Sequence, residues 1–146
     1  MDTEHLKKLL DTCFLAKKVI ETLPELPKGM KPRHIHVLEA NYEITCKQES
    51  CTISNIRDRM QITMPSISQL IQELEALHMI EKEADREDRR FYQLKLTWEG
   101  TDCVKKHVLD FHKEWAKRLA YVENQKVEEA VNLFTELRNT MPGGEV

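Results

Sequence analysis

The strongest constraint on this chain is a change of hydrophobic period near its middle. Thr63-Met64-Pro65 is followed by Ile67, Leu70, Ile71, Leu74 and Leu77, apolar positions three and four residues apart. That spacing puts them on one face of a helix. Thr63 stands as its cap, and Pro65 sits in the first turn, where a missing N–H costs nothing. Past Leu77 the helical pattern stops. Residues 79–83 read as a short strand and Asp85-Arg86-Glu87-Asp88-Arg89-Arg90 as a charged turn. Residues 91–97 read as a second strand, in which Tyr92, Leu94 and Leu96 alternate with Gln93 and Lys95.

Upstream, Ser54 is expected to cap a short helix running through Ile56 and Met60, with a break near Gln61-Ile62. Two short helices joined by a tight turn form a helix-turn-helix, and the hairpin that follows makes a wing. Longer helices flank this unit. The first carries Leu6, Leu9, Leu10, Cys13, Phe14 and Ile20 on one face and ends in Leu23-Pro24-Glu25-Leu26-Pro27-Lys28-Gly29. A second begins at Pro32 and runs through Ile35, Leu38 and Tyr42. Thr97 caps a long helix marked by Val104, Val108, Phe111, Trp115, Leu119 and Val122, with a break at Glu123-Asn124. The last helix carries Val127, Ala130, Val131, Phe134 and Leu137, and stops at Pro142-Gly143-Gly144. Alone, the terminal helices would expose much apolar surface; a second copy related by a two-fold axis would cover it.

The composition agrees. The 146 residues suit one domain. With 40% hydrophobic residues and a net charge of -3, the chain is not a disordered one. No apolar run approaches the roughly 18 residues of a membrane span, and Met1-Asp2-Thr3-Glu4-His5 lacks the shape of a signal peptide. A cytoplasmic protein is expected, with Cys13, Cys46, Cys51 and Cys103 as free thiols. There is no CxxC pair for zinc, and no nucleophile elbow, P-loop or HExxH. Carboxylates lie scattered among lysines, as solvated charges do. Neither catalysis nor a cofactor is expected.

The order of elements, together with Asp88-Arg89-Arg90 at the hairpin tip and Leu96-Thr97-Trp98-Glu99-Gly100 opening the next helix, resembles the MarR family of bacterial transcriptional regulators. The segment Met64-Pro65-Ser66-Ile67-Ser68-Gln69-Leu70-Ile71-Gln72-Glu73-Leu74 precedes them at the matching distance. The resemblance implies a mainly α fold with a small β-wing. Residues 1–31 and 101–146 would supply dimerisation helices, and residues 32–100 a winged helix-turn-helix. It implies a homodimer that binds a palindromic DNA operator, as a repressor or activator, and releases it when a small molecule or oxidant arrives. The alternative from another class is a winged-helix protein–protein adaptor without DNA binding.

A recognition helix places its N-terminal residues at base edges in the major groove. Here those are Thr63, Met64, Pro65, Ser66, Ser68, Gln69 and Gln72. Gln pairs bidentately with adenine, and apolar groups meet the thymine methyl. On the resemblance, Asp88 orients Arg90 into the minor groove, while Arg86 and Arg89 contact phosphates. Against this stands the charge. Seven basic and eight acidic residues lie between Thr52 and Thr97, whereas counterion release favours basic modules. The chain also departs from the family at three places. It has no basic residue around Gln69 or Glu73, it has Arg57 where a small residue is common, and it has His78 where Gly is frequent.

Family members usually take effectors in a cleft between the dimer helices and the winged unit. Cys13, His34, His36 and Tyr42 are the cleft candidates, with Glu39, Cys103, His107 and His112 nearby. Three readings stay open. Cys13 stands where the hydroperoxide-sensing branch has its thiol. The histidines are of a type that binds zinc or copper, but His107 and His112 are five apart, and no metal site is assigned. A small aromatic or lipophilic effector is the default partner.

Overall fold

The computed structural model describes residues 1–21, 25–88 and 90–141. Helix α1 (Thr3–Glu21) is followed by α2 (Pro32–Lys47), α3 (Ile53–Met60) and α4 (Met64–Ala76). Strands β1 (Ile80–Ala84) and β2 (Tyr92–Leu96) come next. Helix α5 (Trp98–Val104) then runs through a widened π-helical stretch, Lys105–Asp110, into α6 (Phe111–Arg118), and α7 (Asn124–Thr140) ends the described chain. The fold is mainly helical with one antiparallel hairpin, in the register Ile80↔Leu96 to Ala84↔Tyr92.

The core sits in the winged unit. Val37 and Leu38 of α2, Ile56 of α3, Ile67, Ile71 and Leu74 of α4, Ile80 and Leu94 of the hairpin, and Val104 of α5 are all buried together. Each such aliphatic side chain contributes about 1.5–3 kcal/mol relative to exposure. The helix-turn-helix angle is therefore set by packing, and the wing is anchored at its base by Ile80 and Leu94. Buried Asn41 of α2 adds a polar tie, donating through Nδ2 to the Leu94 carbonyl at 3.1 Å.

Three details differ from the sequence expectation. Thr52, not Ser54, caps α3: its hydroxyl accepts from the Asn55 N–H, and Asn55 Oδ1 accepts from the Thr52 N–H. Ser54 lies inside the helix. The strands are shifted or trimmed by a residue at their ends. Residues 51 and 52 lie along β2 as a third, two-residue edge: the Leu94 N–H donates to the Cys51 carbonyl at 2.7 Å, and Thr52 bridges Gln93. Thr97 caps α5 as expected, accepting from the Gly100 N–H at 3.0 Å.

The ends of the chain are different in kind. Phe14 and Ile20 of α1, Trp115 of α6, Leu119, and Val127, Val131 and Phe134 of α7 are exposed in the single chain. The buried face expected to run from Val104 to Val122 ends at Val108. No described helix is long and apolar enough to cross a membrane. The expected helix stops at Leu23-Pro24 and Pro142-Gly143-Gly144 fall outside the described residues.

Candidate nucleic-acid interface

Helix α4 presents its apolar stripe to the core and the opposite face to solvent. Thr63, Met64, Pro65, Gln69 and Gln72 are exposed, and Ser66 and Ser68 are half-buried. Thr63 does more than close the helix. Its hydroxyl accepts from the Ser66 N–H and donates to Ser66 Oγ at 2.9 Å. The two hydroxyls are therefore held in one arrangement at the N-terminus, where the helix dipole favours an anion.

At the hairpin tip, the Asp88 carboxylate accepts four hydrogen bonds from Arg90. Nε donates to Oδ1 at 3.0 Å and to Oδ2 at 3.2 Å, Nη2 donates to Oδ2 at 2.8 Å, and the Arg90 backbone N–H donates to Oδ1 at 3.0 Å. Planar guanidinium and carboxylate fit side by side, so the pair fixes direction as well as distance. The Arg90 side chain is nonetheless 85% exposed. It is a cation held out into solvent at a set angle. The guanidinium holds the Asp88 carboxyl below its ordinary range, so the aspartate stays ionised. Arg86 is exposed and makes no ion pair among the described residues. Arg89 lies outside them.

Several cations of this unit are paired with acids, while Glu81 and Glu87 stay exposed. Arg57 meets Asp58 at 2.9 Å, Arg59 meets Glu43, Lys82 meets Glu75 at 3.3 Å, and Lys95 meets Glu83 at 2.8 Å. These charges are committed to one another on the α3 face and along the hairpin, which leaves Arg86 and Arg90 as projecting cations.

Of the cleft candidates, His34 is held by hydrogen bonds at both ring nitrogens. It is buried at the start of α2, where Nδ1 accepts from the Lys31 N–H at 2.9 Å, and Nε2 meets Glu73 Oε2 of α4 at 2.6 Å. Because Nδ1 accepts, Nε2 carries the proton and donates. His34 thus belongs to the helix-turn-helix core, and its spacing from Glu73, 39 residues away, gave no local signal. His36 is exposed and faces Glu39 at 3.9 Å, while Tyr42 and Cys13 are half-buried. An open pocket of about 420 Å³ beside α2 is lined by His36, Glu39, Ala40, Glu43, Arg59 and Met60. Burial pushes the Cys51 thiol up to about 11 and raises that of Cys103, which lies 3.8 Å from Met30 Sδ. Both are packing thiols. No group of three or more metal-ligating side chains is assembled among the described residues.

A capped helix exposing Ser and Gln, beside a hairpin tipped with an oriented arginine, defines a winged helix-turn-helix. Residues 28–90 match the model of the MarR family. The fold is shared along nearly the whole chain with solved structures of that type. Streptococcus pneumoniae FabT, in complex with DNA, is 20% identical with a TM-score of 0.73, over 96% of this chain and 100% of that one. S. aureus MepR in its DNA complex is 19% identical with a TM-score of 0.66, over 97% and 99%. PcaV from Streptomyces coelicolor, with its natural ligand, is 15% identical with a TM-score of 0.63, over 96% and 94%. No curated protein matches the chain significantly. Over residues 28–90, which include most of the winged unit, this chain is thus similar to the MarR family.

Proposed function

We propose that this protein is a DNA-binding transcriptional regulator that works as a homodimer on a palindromic operator, as a repressor relieved by a small-molecule effector. The observation that carries the reading is the Asp88–Arg90 grip: three hydrogen bonds to one carboxylate hold an otherwise exposed guanidinium at the end of a β-hairpin. A solvated surface arginine has no need of such fixation, and a minor groove, narrow and negative at A·T-rich steps, rewards it. The exposed N-terminal face of α4 supplies the second half, with Thr63, Met64, Pro65, Ser66, Ser68, Gln69 and Gln72 placed to meet base edges and phosphates. FabT and MepR were solved in complex with DNA, which supports the same use of this fold here. PcaV was solved with a natural ligand, which supports an effector.

A gel-shift titration of Arg90→Ala against a selected operator tests it. Binding should weaken by about thirtyfold or more, because the homodimer loses two oriented groove contacts of roughly 1–3 kcal/mol each, while the circular dichroism of the variant stays that of the parent. Unchanged affinity would remove the wing from the mechanism and favour a protein-binding role for this surface.

A further inference from the structure

Glu73 is the acid that looks misplaced. It stands on α4, the helix proposed to read DNA, where a carboxylate repels phosphate. The structure shows what occupies it. Oε2 takes the 2.6 Å hydrogen bond from buried His34, and Oε1 accepts from Nε2 of Gln69 at 3.2 Å. His34 is fixed in turn by the Lys31 N–H on its other nitrogen. The three side chains form one directed line from the buried start of α2 to the exposed face of α4.

We propose that Glu73, positioned by His34, sets which base Gln69 reads. This rests on the DNA-binding reading above. An amide nitrogen has two N–H donors, and an ionised carboxylate can only accept. Glu73 therefore takes one N–H of Gln69 and holds the amide oxygen away from itself. What remains outward is one N–H and one oxygen. Adenine presents one acceptor, N7, and one donor, the N6 amino group, in the major groove. Guanine presents two acceptors, N7 and O6, and would need both N–H groups. With one N–H committed, Gln69 matches adenine and fails guanine. Glu73 and His34 are positioning residues: neither needs to touch the base.

The sharpest variant is Glu73→Gln. Its oxygen still accepts from His34, which turns its own NH2 toward Gln69. Gln69 must then offer its oxygen inward and both N–H groups outward, the complement of guanine. Duplexes selected from a random pool by the wild-type chain, by Gln69→Ala, by Glu73→Gln and by Glu73→Ala decide the matter. Gln69→Ala should lose the adenine preference at one base pair per half-site, which identifies the position. There, the adenine-to-guanine ratio should fall roughly fivefold or more in Glu73→Gln, and toward parity in Glu73→Ala, with binding to unselected duplex kept. Glu73 is a third exposed, and unchanged melting temperatures would show that the fold is retained. A smaller fall in both Glu73 variants, or no position altered in Gln69→Ala, overturns this inference and leaves DNA binding standing. A wild-type chain that selects no duplex overturns both.

Discussion

At the scale of single residues, the backbone shows what is unusual about one departure from the family pattern, His78. His78 has φ +58°. It closes α4 in a Schellman arrangement: its N–H donates to the Glu75 carbonyl, and the Met79 N–H reaches back to the Leu74 carbonyl at 3.0 Å. Glycine is favoured there because a Cβ crowds the following carbonyl in the left-handed region. His78→Gly is expected to stabilise the fold by about 1 kcal/mol, read as a raised midpoint in urea denaturation; a lowered midpoint would mean that the imidazole supports the turn. The α3 cap was harder to read in the sequence. Thr52 and Ser54 are both fit to cap, and the reciprocal partner at the third position, Asn55, is not the Glu or Gln that usually marks a capping box. The His34–Glu73 contact was illegible for a different reason. Each residue had a plausible local role, His34 as a ligand and Glu73 as a surface acid, and only the crossing of α2 and α4 brings them together.

At the scale of elements, the helices were legible because apolar spacing and caps agree, as at Thr63 with Ile67, Ile71 and Leu74. The wing was legible through its tip and its exit. The exit has a steric cause. A Cβ on Gly100 would lie 2.0 Å from the Met79 carbonyl oxygen, and the Thr97 hydroxyl donates to the His78 carbonyl at 2.6 Å. The first turn of α5 thus presses directly on the backbone that joins α4 to β1. Gly100→Ala must separate the two, at a cost of about 3 kcal/mol. Chemical denaturation should show a loss of that order, and a loss below about 1 kcal/mol would mean that the contact is loose. The edge formed by residues 51 and 52 escaped the sequence reading because two residues carry no alternation. It exists because β2 offers an open side above the α2–α3 connection. The strand ends differ by a residue although backbone hydrogen bonds continue past them: the Asp85 N–H donates to the Phe91 carbonyl at 2.9 Å and the Thr97 N–H to the Met79 carbonyl at 3.1 Å.

At the scale of the molecule, core and surface are unevenly divided. The winged unit buries its apolar residues within one chain. The helices outside it carry Phe14, Trp115, Val131 and Phe134 into solvent. Their spacing was plain in the sequence, and on the dimer proposed above a second copy would cover them. Mutual burial of these faces would bring two α4 helices and two Arg90 tips to one side of a symmetric pair, and a symmetric reader asks for a symmetric site, with half-sites about one helical turn apart. That claim has a direct measurement. Sedimentation velocity of the protein with a labelled duplex selected from a random pool should give one complex of two chains per duplex, and a two-chain species without DNA. A complex of one chain per duplex, or no co-sedimentation at low ionic strength, would contradict the account.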